Sequence, residues 1–304
     1  MTSNIDAGVG QSVTLGEQVP KERNWRGEVL RFVRRKPLGA LGAVLLAMAM
    51  LWAAFAPQIA PYEFNATDLA SRLEGPTIEH LFGTDELGRD LFSRVTYGAR
   101  ISVTIAVVGV VVATLISLVI GGITAYVGGR FDLFFLRVID AWLALPGLVI
   151  AVLLVSLFGQ SMLNIIVVLG VSGGIQQSRV VRSSVLQIQN RPFVDAARSL
   201  GATDARLLLR HILPNIMPVL IVLATTALGG FVLAEAGLSF LGYGVPPPQP
   251  TWGGMLTGSA VQNMVANPWI VIWPGAVLAA TVYSANMFGD ALRDVLDPRL
   301  RGSR

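Results

Sequence analysis

"DAARSLGATDARLLLRHILPNIMPV", Asp195 to Val219, is a polar stretch set between two apolar runs, and its reading decides the fold. Phe193, Ala196, Ala197 and Leu200 recur at i, i+3, i+4 and i+7, so they share one face of a helix. Gly201 interrupts that helix and suits the left-handed turn that closes one helix before another begins. Thr203 or Asp204 caps the second helix, which runs through Ala205, Leu208, Leu209 and Ile212. Pro214 and Pro218 mark the start of the next apolar run. The product is a compact helix-turn-helix surface at a membrane face. The small residues Ala196, Ala197 and Gly201 leave room for another protein's backbone to approach. Two readings of that surface stand side by side: a docking surface for a partner, or an amphipathic hairpin lying in the headgroups.

Outward from the insert, the chain is a series of apolar runs. Of 304 residues, 53% are hydrophobic and only 14% charged, too apolar for an ordinary soluble domain. Six spans are predicted: Leu38–Ala56, Ile101–Tyr126, Phe134–Phe158, Met162–Ile175, Ile216–Leu233 and Trp269–Phe288. Pro146 and Gly147 predict a kink in the third. The fourth is short, with 14 apolar residues, so it borrows Gln176 and Gln177, turned toward protein or a cavity, or else it is re-entrant. Residues 1–20 read as a disordered tail. The basic stretch from Lys21 to Lys36 reads either as a short helix on an anionic surface or as a simple cytosolic retention flank.

Charge gives the sidedness. Seven basic residues precede the first span, two lie in the second-to-third turn, six in the insert and four in the C-terminal tail. The two large loops on the other side hold four and none. By the positive-inside rule both termini and the insert are cytoplasmic. The chain therefore divides into a cytoplasmic tail (1–36), a first transmembrane helix with an extracytoplasmic segment (37–100), a transmembrane core with a cytoplasmic loop at 179–214 (101–290), and a cytoplasmic C-terminal tail (291–304).

Other chemistries find little support. The chain has no cysteine and two histidines, His80 and His211, which exclude a thiolate or histidine-rich metal centre. No basic stripe on a polar domain suggests nucleic acid. Asp85, Glu86 and Asp90, with Arg89 and Arg94, resemble a carboxylate site, but no metal-ligand or His–carboxylate spacing supports an enzyme, and salt-bridged packing is the simpler reading. A stand-alone carrier needs a buried carboxylate or broken-helix ion site, and neither is clear. There is no GxxxxGK[ST] motif and the only lysines are Lys21 and Lys36, so the chain binds no ATP through a P-loop. If transport is active, another subunit supplies the energy, and the insert is where the chain would receive it. In the 32-residue uncharged loop Gly237–Pro268, Trp252, Met255, Val261 and Met264 are expected to fold back onto the outer mouth.

At these residues a family resemblance becomes specific. An acidic residue, two alanines, a glycine four residues after the second alanine, then Ile-Leu-Pro appear as Asp195-Ala196-Ala197, Gly201 and Ile212-Leu213-Pro214. The acidic position commonly holds Glu in the family, and Asp stands here. "GTDELGRDLFSR" from Gly83, "YVGGRFD" from Tyr126, "EAGLSFLGYGVPPPQPTWGGML" from Glu235 and "NMFGDALRDVLDPRL" from Asn286 also match. The chain resembles the second of two unlike permease subunits of ABC importers for dipeptides, oligopeptides or nickel. The resemblance implies an all-α polytopic protein with six transmembrane helices, of the type I ABC importer permease fold, in the bacterial inner membrane.

It also implies the machinery. Partners would be a second homologous permease, two cytoplasmic ABC ATPase subunits and an extracytoplasmic solute-binding protein, with a peptide as substrate and nickel or another small solute as the alternative. ATP and Mg would be used by the ATPase, and this chain would bind no cofactor. The Gly201–Arg210 helix would be the coupling helix seated in a groove of the ATPase, with Asp195, Ala196, Ala197, Gly201, Ala202, Thr203, Asp204, Ala205, Arg206 and Pro214 as its coupling residues. Leu208, Leu209 and Ile212 are expected to pack against the permease's own helix ends.

Overall fold

The computed structural model describes residues 32–296. The expectations for residues 1–31, and for the C-terminal tail beyond residue 296, lie outside these residues. The described chain is helical, and one isolated bridge pairs Thr84 with Asp90. We number the principal helices α1 (Pro37–Ala54), α2 (Leu91–Val127), α3 (Gly129–Leu143), α4 (Gly147–Phe158), α5 (Met162–Gln189), α6 (Pro192–Ser199), α7 (Asp204–Phe240) and α8 (Trp269–Leu296).

Four of these, α1, α2, α7 and α8, are long and apolar enough to cross a membrane, and α3 with α4, bent by 90° at residues 144–146, would make a fifth if the pair is one span. The kink expected at Pro146 is therefore a sharp corner. The charged residues Arg130, Asp132, Arg137 and Asp140, expected in a turn, sit on α3 instead. α5 does not stop at Ile175. It runs unbroken to Gln189, 28 residues or about 42 Å, so it has the length to cross although its second half is polar. α2 starts ten residues before the predicted Ile101, capped by Asp90, whose carboxylate accepts from Ser93 N at 2.7 Å. The first helix ends at Ala54, and after a break at Phe55 a short helix, Ala56–Ile59, follows with Pro57 in its first turn, where the missing N–H costs nothing.

The core forms where α2 packs along α5 and α7, α7 along α8, and α8 along α1. Small residues allow these approaches: a Cβ on Gly121 would lie 2.2 Å from Ser178 O on α5. Two apolar clusters result. The larger includes Leu91, Val95, Ile105, Ile165, Phe231, Leu238 and Trp252. The smaller gathers Ala125, Val181, Val185, Ile212, Ile216 and Leu220, where the exits of α2 and α5 meet the start of α7.

The two ends of the bundle are held differently. At one end, Lys36 Nζ reaches Asp294 at 2.5 Å, joining the start of α1 to the end of α8. Tyr126 Oη, from the end of α2, donates to Asp204 at 2.6 Å, so the insert lies at this same end. At the opposite end the segment between α1 and α2 folds over the bundle. Phe82 stacks on Trp273 of α8 at 4.2 Å. Asp85, Glu86, Arg89 and Arg94 form a local ion-pair network, with Arg89 Nε 2.7 Å from Asp85, and His80 lies 3.0 Å from Asp90. No cluster of three potential metal ligands exists among the described residues. Asp85, Glu86 and Asp90 are all engaged in ion pairs, the salt-bridged packing that was expected. Trp252 and Met255 fold inward, but Val261 and Met264 remain exposed.

Candidate functional site

The insert is built from its turns. α5 ends at Gln189, and Asn190 Nδ2 satisfies Leu186 O at 2.9 Å. Pro192 then opens α6 at a position where its missing N–H costs nothing. α6 closes at Gly201, which has φ +81°. Ala202 N donates to Ala197 O at 3.1 Å and Gly201 N to Arg198 O at 3.0 Å, the paired bonds of a glycine-terminated helix end. Thr203, not Asp204, caps the next helix: its Oγ1 accepts from Arg206 N at 3.4 Å. The helix-turn-helix is therefore real, but its second helix is not free-standing. Gly201–Thr203 are the turn, and Asp204 begins α7, which continues through Pro214 and Pro218 as one 37-residue helix.

That continuity has a local cause. Pro214 cannot donate to a carbonyl four residues back, and its ring crowds that carbonyl. The turn before it, Leu207–Ile212, is wound as a π-helix, with Leu213 N bonded to Leu208 O. The wider turn shifts the phase of the helix. Leu207 and Ile212 are fully buried and Leu208 packs beside them, whereas Leu209 is 60% exposed. The expectation for Leu208 and Ile212 holds. Leu209 is corrected, and Leu207 takes the place it was given.

The face left open is the one the sequence spacing picked out. Leu200 is 89% exposed and Phe193 44%, with Ala196 exposed and Ala197 half-buried, while Val194 is turned inward and fully buried. Gly201, Thr203, Asp204, Ala205, Arg206 and Pro214 are also exposed, and Ala202 is half-buried. A Cβ on Gly201 would meet nothing within 4 Å. Asp195 pairs with Arg198 on its own helix at 3.3 Å, with both side chains more than half exposed, a contact worth a few tenths of a kcal/mol. Asp204 is engaged by Tyr126, a residue the pattern analysis passed over although it opens "YVGGRFD".

Three of the six arginines of the loop are in ion pairs: Arg198 within α6, and two that tie α5 to α3. Arg182 makes a bidentate pair with Asp132 of α3, at 2.7 and 2.5 Å, and Arg179 pairs with Asp140. Arg191, Arg206 and Arg210 form no ion pair among the described residues. The insert thus presents an apolar, small-residue platform rimmed by unpaired cations.

Comparison with known proteins decides the family. Residues 113–302 match the family described as binding-protein-dependent transport system inner membrane component. The chain belongs to that family. Residues 24–76 match the N-terminal TM domain of oligopeptide transport permease C. Relatives include the oligopeptide transport system permease protein OppC of Bacillus subtilis, 38% identical over 91% of this chain and 90% of that protein. The dipeptide transport system permease protein DppC of Alkalihalophilus pseudofirmus is 36% identical over 91% of this chain and 90% of its own. The glutathione transport system permease protein GsiD of Escherichia coli is 37% identical over 90% and 91% respectively. The chain is a polytopic inner-membrane permease component of an ABC importer and is not itself the catalyst.

Proposed function

We propose that this permease moves peptides across the cytoplasmic membrane and is driven through its insert by a separate ABC ATPase. The observation that carries the reading is the open platform of Phe193, Ala196, Leu200 and Gly201, at the bundle end shared by the start of α1 and the end of α8. The positive-inside count puts that end in the cytoplasm. We read α5 as a crossing too, which gives six with the bent α3–α4 pair and places both termini inside, as in a type I importer.

In this account Ala196, Ala197, Gly201 and Ala202 let the ATPase backbone come close, and Leu200 and Phe193 fill its groove. Ala205 and Arg206 extend the contact. Thr203 caps the start of α7, the Tyr126–Asp204 bond holds the platform to α2, and Pro214 sets the π turn that locks it to α7. Movement of the platform is therefore movement of two spans. ATP and Mg act in the partner subunits. A second permease completes the passage, and a solute-binding protein delivers cargo to the opposite end. Peptide cargo is supported by the relatives' names: oligopeptide, dipeptide and glutathione all present amide groups.

The test is uptake in proteoliposomes. The complete complex should concentrate a labelled oligopeptide only with ATP and the binding protein, and this chain alone should concentrate none. Uphill uptake by the chain alone, without nucleotide, would overturn the reading.

A further inference from the structure

Two cavities lie against α7. One, of about 570 Å³, is lined by α3, α4, α5 and α7 and includes Trp142, Ser172, Gln176, Gln177 and Thr226. The other, also about 570 Å³, is lined toward the opposite end by apolar and glycine positions up to Phe240. They share Leu148, Gly230 and Ala234, so they run end to end along α7 from Thr226 to Phe240. No charged side chain lines either one.

The polar groups of the first cavity are placed in an unusual state. Ser172 and Gln176 are one turn apart on α5, and Gln177 lies beside them. Gln177 is 91% buried by its 9% exposure, yet its Oε1, like Ser172 Oγ, has no hydrogen-bond partner among the described residues. A buried acceptor left unpaired destabilises the resting protein, so it needs a reason. Packing does not supply one, since Gly173 between them is already bare to admit Phe231, whose ring would lie 2.6 Å from a Cβ there.

We propose that Ser172, Gln176 and Gln177 form a station in the translocation path that hydrogen-bonds the backbone amides of a passing peptide. The proposal rests on the peptide-importer reading above and assigns a site within it. A carboxamide both donates and accepts, and so does a hydroxyl, so the three groups can serve peptide N–H and C=O alike. An apolar wall alone would leave those amides unpaired. A charged wall would select cargo by sign. The neutral station passes a backbone whatever its side chains are. It also lacks the His, Asp or Glu donors that a bare divalent cation would need.

The complete reconstituted complex, with saturating binding protein and labelled trialanine, tests the station. Ser172→Ala combined with Gln177→Leu is expected to lower uptake at least tenfold while binding-protein-stimulated ATP hydrolysis stays within twofold. Gln176→Leu covers the case in which that pair disturbs assembly: its side chain is exposed and makes no hydrogen bond within the described chain, and uptake should fall several-fold. Because the chain has no native cysteine, Ser172→Cys and Gln176→Cys report access directly, and trialanine should slow their labelling by a membrane-impermeant thiol reagent. Wild-type uptake by these variants, or thiols that no nucleotide state exposes, would overturn the station. Failure of the unaltered complex to move trialanine would instead overturn the peptide reading itself.

Discussion

Glu235 is the residue whose importance a linear reading understates. It is fully buried near the end of α7, and its two oxygens accept from Ser102 Oγ at 3.1 Å and Ser239 Oγ at 2.7 Å. Ser102 Oγ in turn accepts from Trp252 N at 3.2 Å, and the Trp252 indole donates to Val95 O at 3.1 Å. One carboxylate thereby fastens the uncharged loop after α7 to α2. Replacing it with Leu leaves Ser102 Oγ without an acceptor and Ser239 Oγ with only Thr251 Oγ1 at 3.4 Å, at a cost of about 1–3 kcal/mol for each buried hydroxyl left unpaired. Glu235→Leu should lower the melting temperature in detergent by about 5–10 °C. Glu235→Gln, which keeps an acceptor, should lower it by less. A Leu variant as stable as the unaltered protein would show that the network holds nothing. Glu235 stands two residues past the fifth predicted span, and the buried carboxylate that was not clear in the sequence is found there. Its partners, 133 and 4 residues away, belong to tertiary structure.

At the scale of elements, α3 depends on ion pairs. It buries only Asp132 and Ile139, and it exposes Phe131, Leu133, Phe134 and Val138. Arg182 and Arg179 of α5 hold it from one side. Arg182→Ala should raise backbone hydrogen exchange over residues 129–143 about tenfold, equivalent to roughly 1.4 kcal/mol of lost protection. The exchanged pair Arg182→Asp with Asp132→Arg should restore it. Unchanged exchange in the single variant would show that α3 is held by something else.

Element boundaries were legible where a residue's backbone chemistry set them, as at Gly201 and Pro146. They were hidden where polarity and structure part company. α5 continues past Ile175 with Gln176 and Gln177 against a cavity, as expected, but its run on to Gln189 was hidden, because that half of the helix is polar. The register of Leu207–Ile212 was hidden because the π turn breaks the 3.6-residue period on which the reading relied.

At the scale of the molecule, the proposed sidedness rests on charge, since the basic residues crowd the segments assigned to one side, and the proposed external energy source rests on the lack of a nucleotide motif in the sequence. The packing of α1 on α8 was not readable, since it depends on contacts far apart in sequence, and of the corner between α3 and α4 the kink at Pro146 was readable but its 90° angle was not. The insert is joined to the bundle by two routes, α7 by continuity and α2 by the Tyr126–Asp204 hydrogen bond. In the proposed mechanism a partner that grips the platform shifts α7 through them. Gly201 is where that proposed grip is broken with least damage to the permease. Space around it is open, so the cost within the chain is the backbone strain of a side chain at φ +81°.

The most direct measurement is peptide taken up per ATP hydrolysed by reconstituted complexes carrying Gly201→Trp. The account predicts a normal amount of inserted permease, with stimulated hydrolysis and uptake both reduced tenfold or more. Ordinary coupling in that variant, at ordinary rates, would contradict it.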